Sequence, residues 1–361
     1  MNKDARIVLL VTSLLVMIGI VMIYSSSGVY AHGTYGDSLY FVKRHLMYLI
    51  IGLAVAVFCM SVPPMGIQEH ARKTMLISIV LLFAVLVPGI GSEISGARRW
   101  IRFAGFGFQP SELAKLAVII YLADLTSRKK YSMQDLRYGF FPPLFVIGFT
   151  GALVLVEPDM GTSIAILFVG LALLFAAGAK IKHLIFVAAS MLPMLCLAVI
   201  SAPYRLRRIM IFFNPWRDPR GAGFQLIQSF IALGSGGFTG VGLGSSKQKL
   251  FYLPESHTDF IFSIIGEELG FFGTASVLIL FTVLVWYSFR IALKLKEMFM
   301  SRVVLGISMM IAFEVAVNIG VSTGALPTKG LPLPFISYGG SSLVCHLAAI
   351  GIILNMSKEA E

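Results

Sequence analysis

The chain has 361 residues, of which 57% are hydrophobic and only 13% are charged, and its mean hydropathy is +0.85. Since a soluble domain averages about 25% charged residues, this composition excludes a water-soluble protein and predicts an integral membrane protein. The net charge of +11 would suit nucleic-acid binding, but membrane proteins keep excess lysine and arginine in their loops to fix orientation, so no nucleic-acid partner is predicted.

Apolar segments long enough to cross a membrane, which takes roughly 20 residues, recur along the chain. They predict an all-α polytopic membrane protein with about ten transmembrane helices, forming a single integral membrane domain over residues 1–361. The first segment lacks a small-residue cleavage site, so we interpret it as a retained span and not as a signal peptide. The ten predicted spans are 6–24, 45–62, 74–91, 111–126, 140–157, 160–178, 181–201, 260–289, 303–322 and 340–356.

Basic residues are distributed unevenly between the two sides. An even number of spans puts both termini on one side, where the loops and their flanks carry 15 basic residues, against six in the short loops of the other side. The positive-inside rule therefore predicts cytoplasmic termini. The large extracytoplasmic loop 202–259, between the seventh and eighth spans, is an exception. An anionic ligand would explain its basic residues, and so would a loop long enough to escape the rule. These residues are Arg205, Arg207, Arg208, Arg217, Arg220, Lys247 and Lys249.

The segment GARRWIRFAGFGFQPSELAK, residues 96–115, mixes arginines with aromatic residues, a composition that favours the membrane–water interface. Pro110 fits the first turn of a helix, with Glu112 near its positive end. Glu112 and Lys115 are three residues apart and share a helix face. Lys115 would lie about one turn inside the membrane. An ionisable group there indicates a functional site, a buried ion pair with Glu112, or a side chain that snorkels to the membrane surface.

A second acidic segment, LVEPDMGTS at residues 155–163, links two predicted spans. Glu157 and Asp159 flank Pro158 in this link. Two carboxylates at one hairpin could bind a cation or a sugar hydroxyl. The alternative is a solvated turn in which Asp159 caps the next helix.

A glycine-rich stretch lies within residues 212–246 and has six glycines between positions 234 and 244. It could bind phosphate through its amides or form a mobile re-entrant hairpin. The segment LPESHTDFIFSIIGEELG, residues 253–270, follows it. A helix beginning near Thr258 would place Asp259 in its first turn, where the helix dipole would keep the carboxylate ionised. The helix is long enough to tilt, or to break near Gly270. Glu267 and Glu268 would then need a protein or water-filled interior, which predicts a cavity that opens outward.

The segment GALPTKGLPLPFISYGGSSL, residues 324–343, carries Pro327, Pro332 and Pro334, which exclude a regular helix. Irregular backbone at membrane depth is tolerated where it is buried or lines a cavity. Lys329 is the one cation of this loop.

These segments together resemble the SEDS family, the peptidoglycan polymerases of shape, elongation, division and sporulation. The resemblance covers essentially the whole chain and favours the division branch over the elongation branch, while a sporulation member looks much the same. It implies ten transmembrane helices, with Asp259 as the key carboxylate. The other residues that we assign to substrate binding are Arg99, Trp100, Gln109, Glu112, Lys115, Asp159, His257 and Lys329.

The family activity that this resemblance implies is the joining of disaccharide units from lipid II into glycan strands outside the cytoplasmic membrane. We expect Asp259 to act as general base and Arg99, Lys115 and outer-loop arginines to stabilise the diphosphate. No cofactor is certain, and a divalent cation (Mg²⁺ or Mn²⁺) could assist; its ligands are unknown. The implied partners are a class B penicillin-binding protein transpeptidase and other membrane proteins of the divisome. The main alternative is a lipid II flippase, and another is a scaffold without catalysis.

Overall fold

The computed structural model describes residues 2–94, 97–103, 106–128, 133–200, 203–250, 252–328 and 330–360. This part of the chain is mostly helical, which confirms the predicted fold class. Its α-helices are α1 (Lys3–Tyr35), α2 (Tyr40–Ser61), α3 (Pro64–Leu86), α4 (Pro110–Ser127), α5 (Phe141–Val156), α6 (Met160–Ala176), α7 (Ile181–Ile200), α8 (Pro203–Phe213), α9 (Phe224–Gly236), α10 (Ile261–Lys294), α11 (Met298–Ser322) and α12 (Gly340–Met356).

Each of the ten predicted spans coincides with a helix, namely α1 to α7 and α10 to α12. Among the described residues, five helices are both long and apolar enough to cross a membrane: α1, α2, α10, α11, and α12 with its short C-terminal extension. Helices α5 and α6 are apolar but shorter. The chain is therefore a multi-pass membrane protein.

The two ends of the chain meet at one end of the helix bundle. Asn2 caps α1 by accepting a hydrogen bond from the Ala5 amide, and its side-chain amide donates to the carbonyl oxygens of Ser357 and Ala360, at 3.0 Å each. The C-terminal end of α10 reaches the same place, because Lys294 Nζ lies 2.7 Å from Asp4 Oδ2. The N-terminal end of α10 therefore marks the opposite end of the bundle.

A small antiparallel sheet between α3 and α4 was not predicted. It consists of β1 (Gly91–Ile94), β2 (Ala97–Phe103) and β3 (Phe106–Phe108), in that order, with a bulge between Ser92 and Glu93. The mixture of arginine and aromatic residues in β2 suited a membrane interface equally well, and two of the three strands are very short. The sheet matters because its central strand carries Arg99 and Trp100.

The segment between α7 and α10 is not a featureless loop, since it contains α8 and α9. Helix α9 packs against α10, and the buried Ser229 of α9 lies 2.6 Å from Ser263 of α10, hydroxyl oxygen to hydroxyl oxygen. Ser229 also donates to the carbonyl of Ser322 in α11. These bonds hold α9 between the two longer helices.

Helix α10 breaks at Gly270, the second of the two alternatives that the sequence left open. The φ of this residue is 66° and its ψ is −161°, a conformation open mainly to glycine. The glycine-rich stretch occupies the break: the amides of Val241 and Gly242 donate to the carbonyls of Glu267 and Glu268, at 2.9 and 3.0 Å. These two amides are therefore engaged by α10 and are not free to bind phosphate.

Candidate active site

Asp259 lies in the turn that immediately precedes α10, at the end of the bundle opposite to the chain termini. Its side chain faces the backbone of the proline-rich segment 324–339. A β-carbon added at Gly330 would come within 2.9 Å of Asp259 Oδ2. The residue is half-buried. The carboxylate thus lies at a backbone surface that only a glycine leaves open.

Burial raises the pKa of Asp259 to about 7, because a charged carboxylate loses hydration. The negative charges of Glu255 and Asp159 raise it further, while Arg208 and Arg99 act in the opposite direction. Asp259 precedes α10, which begins at Ile261, so the prediction that it lies in the first turn of the helix is wrong, and burial is the largest influence on its pKa. The carboxyl group stands near its titration midpoint at neutral pH, as a general base requires.

Arg99 connects the sheet to the link between α5 and α6. Its Nε donates to the carbonyl of Glu157 at 3.0 Å, and its Nη2 donates to the carbonyl of Pro158 at 2.5 Å. Glu157 is fully buried. Burial, together with the charge of Asp159, raises the pKa of Glu157 to about 8 despite the nearby Arg99. Glu157 is accordingly a neutral acid at pH 7.

Asp159 caps helix α6, which was the alternative to a purely functional role. Its carboxylate accepts hydrogen bonds from the amide and the hydroxyl of Thr162, at 3.1 and 2.9 Å. It also accepts one from Gln109 Nε2 at 3.1 Å. The same Nε2 of Gln109 donates to Ser111 Oγ, and the main-chain amide of Gln109 donates to Ser341 Oγ of α12. Gln109 therefore joins the ends of α4, α6 and α12.

Lys115 lies in a buried cluster that spans α4, α11 and α12. Its ammonium is 3.0 Å from Glu112 Oε1 and forms a second, shorter ion pair with Glu314. The other oxygen of Glu314 is 2.6 Å from His346 Nε2, and His346 Nδ1 contacts the carbonyl of Ser342 at 2.7 Å. The small cavity beside Lys115 has no room for a water molecule. The predicted Glu112–Lys115 pair is thus present and is part of a larger network.

Three further predicted residues have different positions. Trp100 is half-buried in β2, and its ring packs on the backbone of Gly107. His257 is buried among aromatic rings, with ring centres 4.5 Å from Phe41 and 5.8 Å from Tyr338. Burial lowers the pKa of His257. Lys329 lies outside the described residues.

Glu267 and Glu268 face the protein interior and not an open cavity. The carboxylate of Glu268 accepts hydrogen bonds from Ser25 and is paired with Lys249 at 2.8 Å. The carboxylate of Glu267 accepts hydrogen bonds from the hydroxyl of Ser246 and the main-chain amide of Lys247. These two carboxylates anchor the loop after α9 on α10.

The structure therefore brings Asp259, Arg99 and Asp159 together, and connects them through Gln109 to the separate Lys115 cluster. Within the described residues, no group of three or more histidine, cysteine, aspartate or glutamate side chains is arranged to hold a metal ion. Sequence reasoning missed Arg208, Glu314, Asn318 and His346 as individual residues. The last three are amide or ionisable residues inside apolar helices, which is a sequence signal for a functional site.

At one end of the helix bundle, this multi-pass membrane protein holds an aspartate whose pKa is close to 7 together with arginines. A base and nearby cations of this kind are the groups that an integral membrane enzyme needs. The chain belongs to the cell cycle protein family FtsW/RodA/SpoVE, whose family model matches residues 5–361. This confirms the resemblance found in the sequence.

Individual relatives match over nearly the whole chain. A probable peptidoglycan glycosyltransferase FtsW from Geobacter sp. (strain M18) is 44% identical over 351 residues, which cover 97% of this chain and 96% of the relative. Stage V sporulation protein E from Bacillus subtilis (strain 168) is 44% identical over 352 residues, covering 98% and 96%. A solved peptidoglycan synthase complex, described as coordinating polymerization and crosslinking, contains a chain with a TM-score of 0.80 and 31% identity, covering 98% of this chain and 97% of that one.

Proposed function

We propose that this chain is a peptidoglycan glycosyltransferase that polymerises lipid II at the outer face of the cytoplasmic membrane, in septal wall synthesis during cell division. The observation that carries the proposal is the Asp259 carboxylate, half-buried and close to titration at neutral pH beside Arg208 and Arg99. The relatives described as peptidoglycan glycosyltransferases, at 43–44% identity, support the same activity.

The reaction needs one base and a source of positive charge. The acceptor hydroxyl is a poor nucleophile, and Asp259 takes its proton as the hydroxyl oxygen attacks the anomeric carbon of the donor. The bond from that carbon to the diphosphate breaks, and the undecaprenyl diphosphate leaves with the electron pair. One direct displacement inverts the anomeric centre. A diphosphate needs neutralisation more than protonation, so the paired carboxylates of glycoside hydrolases are not required.

The cations available to the diphosphate differ in how far they are already engaged. Arg208 is exposed and makes a long hydrogen bond, 3.4 Å, to the carbonyl of Thr328. Arg99 uses two of its nitrogens on carbonyl groups. Lys115 is enclosed by two glutamates. We therefore assign the largest share of the diphosphate charge to Arg208, with Arg99 second.

A divalent cation would fit this site as a companion of the substrate. Mg²⁺ is commonly held by one or two carboxylates together with substrate phosphates, and not by a protein cage. The ion would supply further charge neutralisation, with the substrate phosphates as its main ligands, because Asp259 serves as the base and Asp159 already accepts hydrogen bonds from Gln109 and Thr162.

The orientation follows from the charge distribution and the common end of the termini. If the termini are cytoplasmic, as the positive-inside rule indicates, Asp259 at the other end of α10 faces outward. The partner that we propose is a class B penicillin-binding protein, because the similar chain of known structure belongs to a complex that also crosslinks. Other divisome membrane proteins are proposed on the family resemblance alone.

The test is a polymerisation assay with purified protein in detergent and fluorescent lipid II, with and without the class B companion. We expect glycan strands, in larger amounts with the companion. A lipid II flippase would give no polymer in detergent, where the two sides of a membrane do not exist. Absence of polymer in both arms would therefore contradict the proposal and favour the flippase.

The pH dependence of turnover is expected to report the pKa of Asp259. The base acts only when deprotonated, so kcat should fall on acidification below about pH 7 and approach a tenfold loss per pH unit. An ordinary aspartate, with a pKa of about 3.9, would give a flat profile in this range. Because the charge of Glu255 raises the pKa of Asp259, Glu255→Gln should move the acidic limb to lower pH. A limb that does not move in this variant would contradict the assignment.

A further inference from the structure

The turn that carries Asp259 is held by its backbone and not by its side chain. Three successive carbonyl oxygens accept hydrogen bonds: His257 from the amide of Tyr338 at 2.9 Å, Thr258 from Ser337 Oγ at 2.6 Å, and Asp259 from Asn318 Nδ2 at 2.9 Å. Two of the donors belong to the proline-rich segment, and the third belongs to α11. The position of the turn is therefore set from outside.

Asn318 differs from the other two donors because it bonds both the Asp259 turn and the proline-rich segment. Its Nδ2 donates a second hydrogen bond, 2.8 Å long, to the carbonyl of Leu331. The side chain is 1% exposed. The orientation of the amide is unambiguous, since both partners are carbonyl oxygens and only the NH₂ group can donate to them.

The same contact controls the carboxylate. Gly330 precedes Leu331, and its Cα faces Asp259 Oδ2 so closely that an added β-carbon would lie 2.9 Å from that oxygen. A shift of Leu331 relative to Asp259 would therefore bring the backbone of the segment against the carboxylate or away from it. Asn318 fixes this separation.

We propose that Asn318 is a positioning residue of the glycosyl transfer reaction: its side-chain amide joins the Asp259 turn to the proline-rich segment and thereby fixes the position of the carboxylate relative to the acceptor hydroxyl. The inference rests on the proposed function, with Asp259 as the base. Asn318 bonds the main-chain carbonyls of Asp259 and Leu331 and not the Asp259 carboxylate. Its effect should therefore appear in the chemical step and in the titration of Asp259, and not in substrate affinity.

The test compares Asn318→Ala and Asn318→Asp with the control Asn355→Ala. Asn355 of α12 is also buried, and its Nδ2 likewise donates to two carbonyls, those of Cys59 and Val62 at 3.0 and 2.5 Å. The control thus removes the same chemistry elsewhere in the bundle. Asn318→Asp keeps the volume of the side chain and removes the donor.

We expect both Asn318 variants to lower kcat per folded protein by about 10–100-fold, the effect of a displacement near 1 Å, with KM for lipid II unchanged. In Asn318→Ala the acidic limb of the pH profile should move to lower pH, because a displaced Asp259 is less buried. Asn318→Asp is compared in kcat alone, because its new carboxylate would itself raise the pKa of Asp259. Asn355→Ala should keep the wild-type kcat and limb, whatever its effect on stability.

If both Asn318 variants match Asn355→Ala in kcat, and Asn318→Ala also matches it in the acidic limb, while wild-type protein polymerises lipid II, the positioning role is overturned and the proposed function stands. If wild-type protein makes no polymer, the proposed function itself has failed. Ser337→Ala provides an independent variant should the Asn318 variants not fold, because it removes the bond to Thr258, together with the acceptor of the Leu333 amide, and leaves α11 intact. It is expected to lower kcat in the same direction, and a wild-type kcat would overturn the inference.

Discussion

Replacing Asp259 with asparagine is expected to slow lipid II polymerisation by about 10²–10⁴-fold, the usual contribution of a general base. Asparagine has nearly the same shape but cannot accept the proton of the acceptor hydroxyl. Asn318 donates its hydrogen bond to the main-chain carbonyl of residue 259 and not to its side chain, so the turn should keep its position. The loss should therefore appear in kcat, with KM for lipid II changed little.

The measurement is the initial rate of strand formation by purified, monodisperse protein with fluorescent lipid II. A matched control is Asp37→Asn, which removes a carboxylate that pairs with Lys43 at 2.7 Å and is not among the charged groups that shift the pKa of Asp259. This control should polymerise at the wild-type rate. A folded Asp259→Asn protein with a rate close to that of the control would remove Asp259 from its role.

The second large effect is expected at Lys115. Lys115→Ala would leave Glu112 and Glu314 buried without their shared cation. Breaking a buried ion pair in this way destabilises a protein by about 3–5 kcal/mol. The loss would also free the first turns of α4 from α11 and would thus disturb Gln109 and its bond to Asp159. We expect lower thermal stability in detergent together with lower donor turnover.

A neutral replacement of the whole cluster separates structure from binding. The triple variant Lys115→Met, Glu112→Leu and Glu314→Leu replaces all three charges by apolar side chains of similar volume, and such exchanges are often neutral or stabilising. We expect it to regain stability and to polymerise within about tenfold of wild type, a difference of 1.4 kcal/mol. A stable but inactive triple variant would show instead that Lys115 contacts the diphosphate, as the sequence predicted.

Lys249→Ala is the control for a general effect of buried charge. Lys249 pairs with the fully buried Glu268, so its loss should also reduce stability. The pair anchors the loop after α9 and contacts none of the groups around Asp259. Turnover per folded protein should therefore stay near wild type.

The spans were predictable because hydrophobicity along about 20 residues is a property of the local sequence. The Gly270 break was predictable for a related reason: α10 is too long for one straight span and contains a glycine in its first third. The cap that Asp159 forms on α6 followed from residue type and position alone.

The properties that depend on distant residues were not predictable in this way. The pKa of Asp259 depends on Asp159 and Arg99, which are about 100 and 160 residues away in the sequence. The local sequence indicates only the helix dipole, which would lower the pKa of Asp259, whereas burial in the folded protein raises it. Likewise, Glu314 and Asn318 lie one turn apart in the apolar helix α11, and their partners come from α4, α12 and the turns before α10 and α12.

The central claim is that one site brings the acceptor hydroxyl to Asp259 and the diphosphate to the arginines. It is tested most directly by cryo-electron microscopy of the Asp259→Asn protein with lipid II bound. The account predicts the acceptor 4-hydroxyl within about 2.6–3.2 Å of the residue 259 side chain, and the diphosphate against Arg208 and Arg99. A disaccharide bound beyond the reach of residue 259, with its diphosphate away from both arginines, would contradict it.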